Sequence, residues 1–209
     1  MSTATDDGAL DAPARYRPKR TLRFVTATSL FDGHDASINV IRRVLQAAGA
    51  EVIHLGHNRS ALEIADAAVQ EDAHAVAVSS YQGGHIEFFK YLVELLRERG
   101  AGHVRVFGGG GGVIVPAEIR ELEAGGVTRL YDATAGQDLG LTGMIDDMLE
   151  RADYDVASAS DFSLDGLLSG DPRHLARAIT LYESGGLPSE TGEAIDKAAA
   201  ARRVAVLGI

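Results

Sequence analysis

The sequence predicts an α/β protein built on a doubly wound sheet of five parallel strands, in the flavodoxin-like order 2-1-3-4-5. Two observations lead to this prediction. Short β-rich runs alternate with amphipathic helical segments over residues 21–152, and the connections between them are short. Parallel strands need a crossover between them, and right-handed crossovers place helices on both faces of the sheet.

The predicted elements follow one another along the chain. The strands are predicted at residues 22–27, 51–55, 75–79, 103–107 and 127–131, and the helices at residues 36–48, 60–70, 85–99, 116–124 and 139–151. Ser60 followed by Glu63 predicts a capping box at the second helix. Pro116 suits the first turn of the fourth helix, and Gly49 and Gly100 are typical of helix ends.

Changes in composition divide the chain into four parts. Residues 1–20 lack periodicity and are predicted to form a flexible arm, and residues 21–152 form the sheet domain. Residues 153–171 are polar and rich in Gly and Ser, which predicts a linker. Residues 172–209 form a helical segment that ends in a short apolar run.

This last segment predicts two helices and a strand. Residues 172–183 form an amphipathic helix, and residues 190–202 a second helical stretch. The apolar face predicted for the first helix consists of Leu175, Ala178, Ile179 and Tyr182. Residues 203–209 have the pattern of a buried strand, and such a strand needs neighbours that this chain does not supply. We therefore expect a second domain that is cut off after its first strand.

Composition excludes several classes of function. The chain has 30 acidic and 20 basic residues, a net charge of −10, which argues against nucleic acid and anionic membranes as partners because both are bound by clustered basic surfaces. The absence of Cys excludes disulfides, thiolate metal sites and cysteine nucleophiles. The sequence has no apolar run of membrane-spanning length and no signal-peptide pattern, so we predict a cytoplasmic location.

Three clusters follow the carboxyl ends of predicted strands one, three and four. They are residues 29–37 (SLFDGHDAS), residues 79–85 (SSYQGGH) and the run Gly108–Gly112. In a doubly wound sheet these ends meet at one edge, where ligands bind. The hydroxyl groups of Ser79 and Ser80 either face that crevice or cap the following helix.

The first cluster contains a pair that suits metal ligation. Asp32 precedes His34 across Gly33, and a carboxylate at this spacing can accept one imidazole N–H while the other nitrogen binds a metal. The alternative interpretation is a loop histidine behind an Asx turn. His85 is expected to cap or line the start of its helix, and the other histidines have no partner at metal-ligand spacing and are expected at the surface or in loops: His54, His57, His74, His103 and His174.

The glycine run also has two interpretations. Backbone without Cβ atoms lets a bulky ligand lie flat against it. A flexible loop or a phosphate-binding turn is the alternative, although no Lys-Ser/Thr pair follows to complete a Walker motif. The position of the run between two strongly patterned elements favours ligand contact.

Together the three clusters resemble the cobalamin-binding domain of the adenosylcobalamin-dependent acyl-CoA mutases, over about residues 21–152. The pattern of that family is Asp-x-His-x-x-Gly, then Ser-x-Leu, then Gly-Gly. Ser37 stands here in the final Gly place of the first motif, and Tyr81 stands in the Leu place of the second, which implies a reshaped pocket wall. Thr28 occupies the place of a lysine in methylmalonyl-type mutases.

The resemblance implies that the chain binds adenosylcobalamin in the base-off, His-on form. His34 would be the lower axial cobalt ligand, oriented by Asp32, and the displaced nucleotide tail would run past Ser79 and along the glycines. The implied cofactor-binding residues are Phe31, Asp32, Gly33, Ser37, Ile38, Ser79, Tyr81, Gly83, Gly84, Gly108, Gly109, Gly110, Gly111, Gly112 and Thr134. The implied reaction is the radical rearrangement of an acyl-CoA, such as isobutyryl-CoA to n-butyryl-CoA, on a mutase barrel outside these residues. This segment would bind the cofactor without catalysing the reaction.

The end of the chain carries a second, shorter resemblance. Residues 176–183 resemble the helical lead-in of the mutase-associated GTPase chaperones, and residues 203–209 resemble their first strand. This implies a GTPase chaperone domain, with GTP and Mg²⁺, and a mutase barrel in the same chain. It also implies a homodimer for the full protein.

Two other classes of function remain open from the residues. One is the corrinoid carrier domain of a methyltransferase or a cobalamin sensor, which usually has a helical cap before the domain; only about 20 loop-like residues precede the first predicted strand. The other is a flavodoxin-like or receiver-type signalling module. A receiver needs a lysine after strand five, and residues 132–135 (DATA) contain none.

Overall fold

The computed structural model describes residues 16–159 and 161–201. The strands within this part are β1 (Arg23–Ser29), β2 (Glu51–Arg59), β3 (Ala75–Ser79), β4 (Arg105–Gly111) and β5 (Arg129–Asp132). The helices are α1 (Ala36–Ala47), α2 (Ala61–Gln70), α3 (His85–Glu98), α4 (Pro116–Gly125), α5 (Ala133–Ala152), α6 (Val156–Ala159), α7 (Leu164–Ser169), α8 (Pro172–Glu183) and α9 (Ser189–Ala201). Residues 1–15 of the predicted arm and the predicted strand at 203–209 lie outside the described residues.

The strands form one parallel sheet in the order β2-β1-β3-β4-β5, which confirms the predicted doubly wound fold. Buried side chains of α1 and α5, such as Ile38 and Met148, form the core on one face. Buried side chains of α2, α3 and α4, such as Ile64 and Leu92, form the core on the other. The order of strands reverses between β1 and β3, so the carboxyl ends of these two strands flank the switch point where such folds bind ligands.

Several boundaries differ from the sequence-based prediction. β2 continues to Arg59, and β4 begins at Arg105 and includes four glycines of the Gly run. α5 begins at Ala133 instead of residue 139 because the Asp132 carboxylate accepts a hydrogen bond from the Ala135 N–H at 2.8 Å. The helix then bends at Gly140, whose φ is 62°. The predicted capping box is present, with the Glu63 N–H donating to the Ser60 hydroxyl.

The segments that flank the predicted sheet domain contact it. Tyr16 and Arg20, in the predicted arm, bind the carboxylate of Asp153 at the end of α5. The predicted linker contains α6 and α7, and Val156 is buried. These contacts join the end of α5 to the amino-terminal strand region and to the C-terminal helices.

The predicted apolar face of α8 is wrong in most positions. Leu175, Ile179 and Tyr182 are exposed, and the buried face consists of His174, Ala176, Arg177, Ala178 and Leu181. The buried face can include Arg177 because its guanidinium lies 2.9 Å from the carboxylate of buried Asp72, so the charge is paired.

Two of the histidines that were expected at the surface or in loops are buried: His74, in the loop before β3, and His174, in α8. The His74 ring accepts a hydrogen bond from the Arg23 N–H at 3.1 Å and lies beside the Tyr154 ring. His174 accepts one from the Ser163 N–H at 3.2 Å. None of the helices in the described part of the chain is long and apolar enough to cross a membrane.

Candidate functional site

The three clusters meet at the carboxyl edge of the sheet. The backbone N–H of Tyr81, in the loop after β3, donates to the Asp32 carboxylate, after β1, at 2.5 Å. The Tyr81 hydroxyl lies 2.9 Å from the hydroxyl of Ser37, and the hydroxyl groups of Ser29 and Ser80 are also 2.9 Å apart. Hydrogen bonds therefore tie the loop after β1 to the loop after β3 across the switch point.

Asp32 and His34 form a local pair. One oxygen of Asp32, Oδ1, accepts from the His34 backbone N–H at 2.9 Å and lies 2.8 Å from the imidazole Nδ1. The carboxylate is fully buried, whereas 76% of the imidazole surface is exposed. The ring is therefore anchored at one nitrogen and open to a ligand at the other.

The electrostatics of Asp32 determine which nitrogen carries the proton. Burial by itself raises the pKa of the carboxyl group, but the backbone N–H groups of Tyr81 and His34 and the imidazole of His34 outweigh it, and the pKa falls below its ordinary value. An ionised carboxylate only accepts hydrogen bonds, so Nδ1 of His34 carries the proton. In the neutral imidazole, this tautomer leaves the lone pair on Nε2.

The loop that carries this pair is anchored at its tip. Phe31 has a φ of 64°, a conformation that non-glycine residues rarely adopt, and its N–H donates to the Asn58 side chain at 2.8 Å. The side chain of Phe31 is 85% exposed. The residue thus projects from the sheet edge next to His34.

A cleft of about 380 Å³ opens beside the pair, between α1 and α5 on one face of the sheet. Of the predicted site residues, Ser37, Ile38, Ser79, Tyr81 and Gly108–Gly111 line it. The others do not: Phe31, Asp32, Gly33 and His34 lie in the loop after β1, Gly83 and Gly84 precede α3, Gly112 follows β4, and Thr134 is exposed in the first turn of α5.

Sequence reasoning missed the opposite wall of this cleft. Leu141, Met144 and Met148 of α5 line it, together with Phe107 and Tyr131 of the sheet. The three α5 residues recur at i, i+3 and i+7, so they form an apolar stripe on one side of the helix. This periodicity could have indicated that the helix lines the ligand-binding edge of the sheet. The wall is mainly apolar, as in most small-molecule sites.

The glycines of β4 lie close to other residues on both faces of the sheet. A Cβ atom at Gly108 would overlap the Phe89 ring, and one at Gly110 would overlap the Ser80 carbonyl oxygen, both on the face covered by α2, α3 and α4. A Cβ at Gly109 would lie 3.0 Å from the carbonyl oxygen of Tyr131, a residue that lines the cleft. A Cβ at Gly112 would meet nothing within 4 Å. Packing within the domain therefore requires part of the run that sequence reasoning assigned to a ligand.

Two buried hydroxyl groups at the switch point have no hydrogen-bond partner among the described residues. They are Thr28 Oγ1, at the end of β1, and Ser79 Oγ, at the end of β3. Ser79 lines the cleft, so its hydroxyl can pair with a polar atom of a ligand there, whereas Thr28 does not line it. The cleft thus combines apolar walls with unused hydrogen-bonding capacity at its sheet end.

A doubly wound fold with an imidazole held by a carboxylate, beside a long cleft at the switch point, defines a class of corrinoid-binding domains. The chain belongs to the B12 binding domain family, whose model matches residues 22–139. This confirms the family resemblance inferred from the three clusters.

The amino-acid sequence of the chain is similar to those of several acyl-CoA mutases. The chain is 57% identical over 192 residues to the fused isobutyryl-CoA mutase of Cupriavidus metallidurans, covering 92% of this chain and 18% of that protein. It is 34% identical over 125 residues to the pivalyl-CoA mutase small subunit of Xanthobacter autotrophicus, covering 60% of this chain and 80% of that subunit. The chain therefore spans less than a fifth of the fused relative's length.

A solved structure shares the fold at low sequence identity. A cobalamin-binding protein from Desulfitobacterium hafniense superposes with a TM-score of 0.53 at 20% identity, covering 63% of this chain and 60% of that one. At this identity the likeness concerns the architecture of the domain alone.

Proposed function

We propose that this chain binds adenosylcobalamin base-off, with His34 as the lower axial cobalt ligand and the nucleotide tail in the cleft. The observation that carries the proposal is the Asp32–His34 pair, which leaves Nε2 of the imidazole open beside a cleft that reaches the switch point. The cofactor-binding residues are those named from the sequence, together with the α5 wall.

The metal-ligating side chains at this site suit a metal ion that is already bound in a macrocycle. Among residues 16–159 and 161–201, no group of three or more His, Cys, Asp or Glu side chains is placed to hold a metal ion. A metal bound through His34 must therefore bring most of its ligands with it, as cobalt does in the corrin ring. A single imidazole with a carboxylate on its other nitrogen suits one axial position.

The cleft fits an elongated, partly aromatic group. Its volume lies in the range of ~300–1,000 Å³ that is typical of small-molecule sites, and its walls include Ile38, Met144 and Met148. The backbone at Gly109 and Gly111 allows a flat group to approach the sheet because no side chain stands in the way. Ser79, which lines the cleft, supplies a hydroxyl that has no hydrogen-bond partner among the described residues.

The residues of the chain bind and orient the cofactor. When bound, adenosylcobalamin supplies a cobalt–carbon bond whose homolysis initiates radical chemistry. Asp32 keeps the proton on Nδ1 of His34 and the ring in one orientation, and the Tyr81 N–H keeps the carboxylate in place. Ser37 and Tyr81 join the two loops beside the cleft through their hydroxyl groups.

We further propose that the domain serves an acyl-CoA mutase that converts isobutyryl-CoA to n-butyryl-CoA. The names and identities of the mutase relatives support this activity, and the substrate would bind on a mutase barrel. A GTPase chaperone domain with GTP and Mg²⁺, and homodimer formation, belong to the same proposal for the full-length protein.

A spectroscopic titration tests the binding mode. The purified chain is titrated with adenosylcobalamin and with hydroxocobalamin, and the visible spectrum reports whether the lower base is displaced by a histidine. We expect a base-off, His-on spectrum for the wild type and for the control His57→Ala, which removes an exposed histidine of β2. His34→Ala should lose the His-on spectrum. An unchanged spectrum in His34→Ala would refute the axial assignment.

The mutase activity is tested in the full-length protein. Conversion of isobutyryl-CoA to n-butyryl-CoA is followed by mass spectrometry, with pivalyl-CoA as the competing substrate. Loss of turnover in His34→Ala, with turnover retained in His57→Ala, is the expected result. Absence of any acyl-CoA rearrangement by the wild type loaded with cofactor would refute the assignment.

A further inference from the structure

Two positions at which the chain departs from the family pattern contact each other. Ser37 stands in the place of a Gly and Tyr81 in the place of a Leu, and their hydroxyl groups are 2.9 Å apart. Glycine and leucine have no hydroxyl group, so the residues of the family pattern cannot form this hydrogen bond. The two departures therefore build one feature, a tie between the first turn of α1 and the loop after β3.

Tyr81 is anchored through both its backbone and its side chain. Its backbone N–H donates to the Asp32 carboxylate at 2.5 Å, and its hydroxyl group bonds to that of Ser37. A Cβ atom at Gly111 would lie 3.1 Å from the Tyr81 ring, and the φ of Gly111 is 57°, a conformation that favours glycine. The ring therefore lies against backbone that carries no side chain, and its position is set by these contacts.

The imidazole of His34 lies beside the Tyr81 ring. The centroids of the two rings are 5.6 Å apart, and their planes are inclined by 45°. This separation falls in the range of ~4.5–7 Å in which aromatic rings attract each other. The imidazole thus has a ring contact with Tyr81 in addition to its hydrogen bond with Asp32.

The hydrogen bond with Asp32 does not by itself fix the orientation of the imidazole. It holds Nδ1 of His34, but the ring can pivot about that bond because the last torsion of a histidine side chain has broad energy minima. With 76% of the imidazole surface exposed, there is room for this motion. The lone pair of Nε2 lies in the ring plane, so the orientation of that plane decides where Nε2 can bind a metal.

We propose that Tyr81 is a positioning residue for the axial ligand: its ring, held by Ser37, sets the plane in which Nε2 of His34 binds cobalt. This inference rests on the proposed function, because the metal is the cobalt of a corrinoid. Asp32 determines which nitrogen is free, and Tyr81 determines the direction in which that nitrogen binds. Since Tyr81 acts through His34, its effect on binding does not depend on the nucleotide tail.

Tyr81→Leu is the variant that isolates this role. It installs the residue of the family pattern and keeps the backbone N–H that bonds to Asp32. Tyr81→Phe keeps the ring and removes the tie to Ser37, and Ser37→Ala removes the same tie from the other side. Tyr182→Leu is the matched control, because Tyr182 is an exposed tyrosine of α8.

The affinity of each variant for adenosylcobalamin is measured by titration of the purified chain, followed in the visible spectrum, and urea unfolding verifies that each variant is folded. We expect Tyr81→Leu to bind about 3- to 10-fold more weakly, because the His34 ring must then be immobilised when the cofactor binds. Tyr81→Phe and Ser37→Ala should each show a smaller loss. Their combination should lose no more than either one, because both remove the same hydrogen bond. Tyr182→Leu should bind as the wild type does.

Two further measurements separate an effect on His34 from a contact with the nucleotide tail, since Tyr81 also lines the cleft. In the His34→Ala background, adding Tyr81→Leu should weaken adenosylcobalamin binding no further. With His34 in place, Tyr81→Leu should weaken the binding of cobinamide, which lacks the tail, by the same factor as that of adenosylcobalamin. A loss that persists in full in the His34→Ala background, or one that is absent for cobinamide, would overturn the inference.

The outcome for the wild type distinguishes this inference from the proposed function. If the wild type shows a His-on spectrum and Tyr81→Leu binds adenosylcobalamin with unchanged affinity, the proposed function stands and the role of Tyr81 is refuted. If the wild type binds neither corrinoid, the proposed function fails and this inference fails with it.

Discussion

Gly110→Ala should destabilise the fold, whereas Gly112→Ala, two residues further along the same run, should not. A Cβ atom at Gly110 would overlap the Ser80 carbonyl oxygen and would lie 3.2 Å from a methyl group of Ile114. The Ser80 N–H also donates to the Gly109 carbonyl oxygen at 2.8 Å, which holds the ends of β3 and β4 together. No rotation of a side chain relieves a clash with this backbone, so the two strands would have to shift.

The size of the effect follows from the kind of contact. Overpacking of a rigid site typically costs ~1–3 kcal/mol, and a clash with hydrogen-bonded backbone places Gly110→Ala at the upper end of that range. A Cβ at Gly112 meets nothing within 4 Å, and the residue has no positive φ. Its replacement by Ala should therefore change the free energy of unfolding by less than ~0.5 kcal/mol.

Urea unfolding, followed by circular dichroism, measures both variants. With an m-value of ~2 kcal/mol/M, a loss of ~3 kcal/mol lowers the unfolding midpoint of Gly110→Ala by about 1.5 M. The midpoint of Gly112→Ala should remain close to that of the wild type. Equal midpoints for the two variants would refute the view that packing against Ser80 requires a glycine in β4.

Three further predictions concern stability. Burial lowers the pKa of His74 to about 4. The unfolded chain therefore binds a proton near pH 6.5 that the folded chain binds only near pH 4. As the pH falls through this window, the free energy of unfolding should fall by up to ~3 kcal/mol. His74→Asn keeps an acceptor for the Arg23 N–H and should flatten the pH dependence of urea unfolding; a slope equal to that of the wild type would contradict this. Arg177→Met leaves the buried carboxylate of Asp72 unpaired and should lower the free energy of unfolding by ~3–5 kcal/mol. Thermal unfolding should show that adding Asp72→Asn recovers most of this loss. A double variant no more stable than Arg177→Met would exclude the ion pair as the cause. Ser60→Ala removes the cap of α2 and should lower the free energy of unfolding, measured in urea, by ~1 kcal/mol. Ser60→Asp should retain the stability of the wild type.

The parallel α/β sheet and the Asp32–His34 pair could be predicted because both are indicated by patterns among residues that are close in sequence. Alternating apolar runs and short connections determine a parallel doubly wound sheet. A two-residue spacing brings a carboxylate to its own imidazole without help from the rest of the chain. The capping box of α2 is local in the same sense.

Features that depend on distant residues could not be predicted in this way. Leu175 and Ile179 have the spacing of a buried stripe but are exposed, and the buried face of the helix instead carries Arg177, which pairs with Asp72, far away in sequence. His74 is buried because other elements cover it, and nothing in its local sequence indicates this.

The sequence by itself determined which family this domain belongs to and which residues meet at the carboxyl edge of the sheet, because the motifs and the alternation of strands and helices are patterns among residues close in sequence. Only the tertiary structure decided how those residues are used. It places the Tyr81 N–H on Asp32 and leaves the hydroxyl groups of Thr28 and Ser79 without a partner. It also shows that packing against the Ser80 carbonyl requires a glycine at position 110, although Gly108–Gly111 all line the cleft. The reason is that burial and hydrogen-bond satisfaction depend on what lies opposite each residue in space, and that partner comes from another part of the chain.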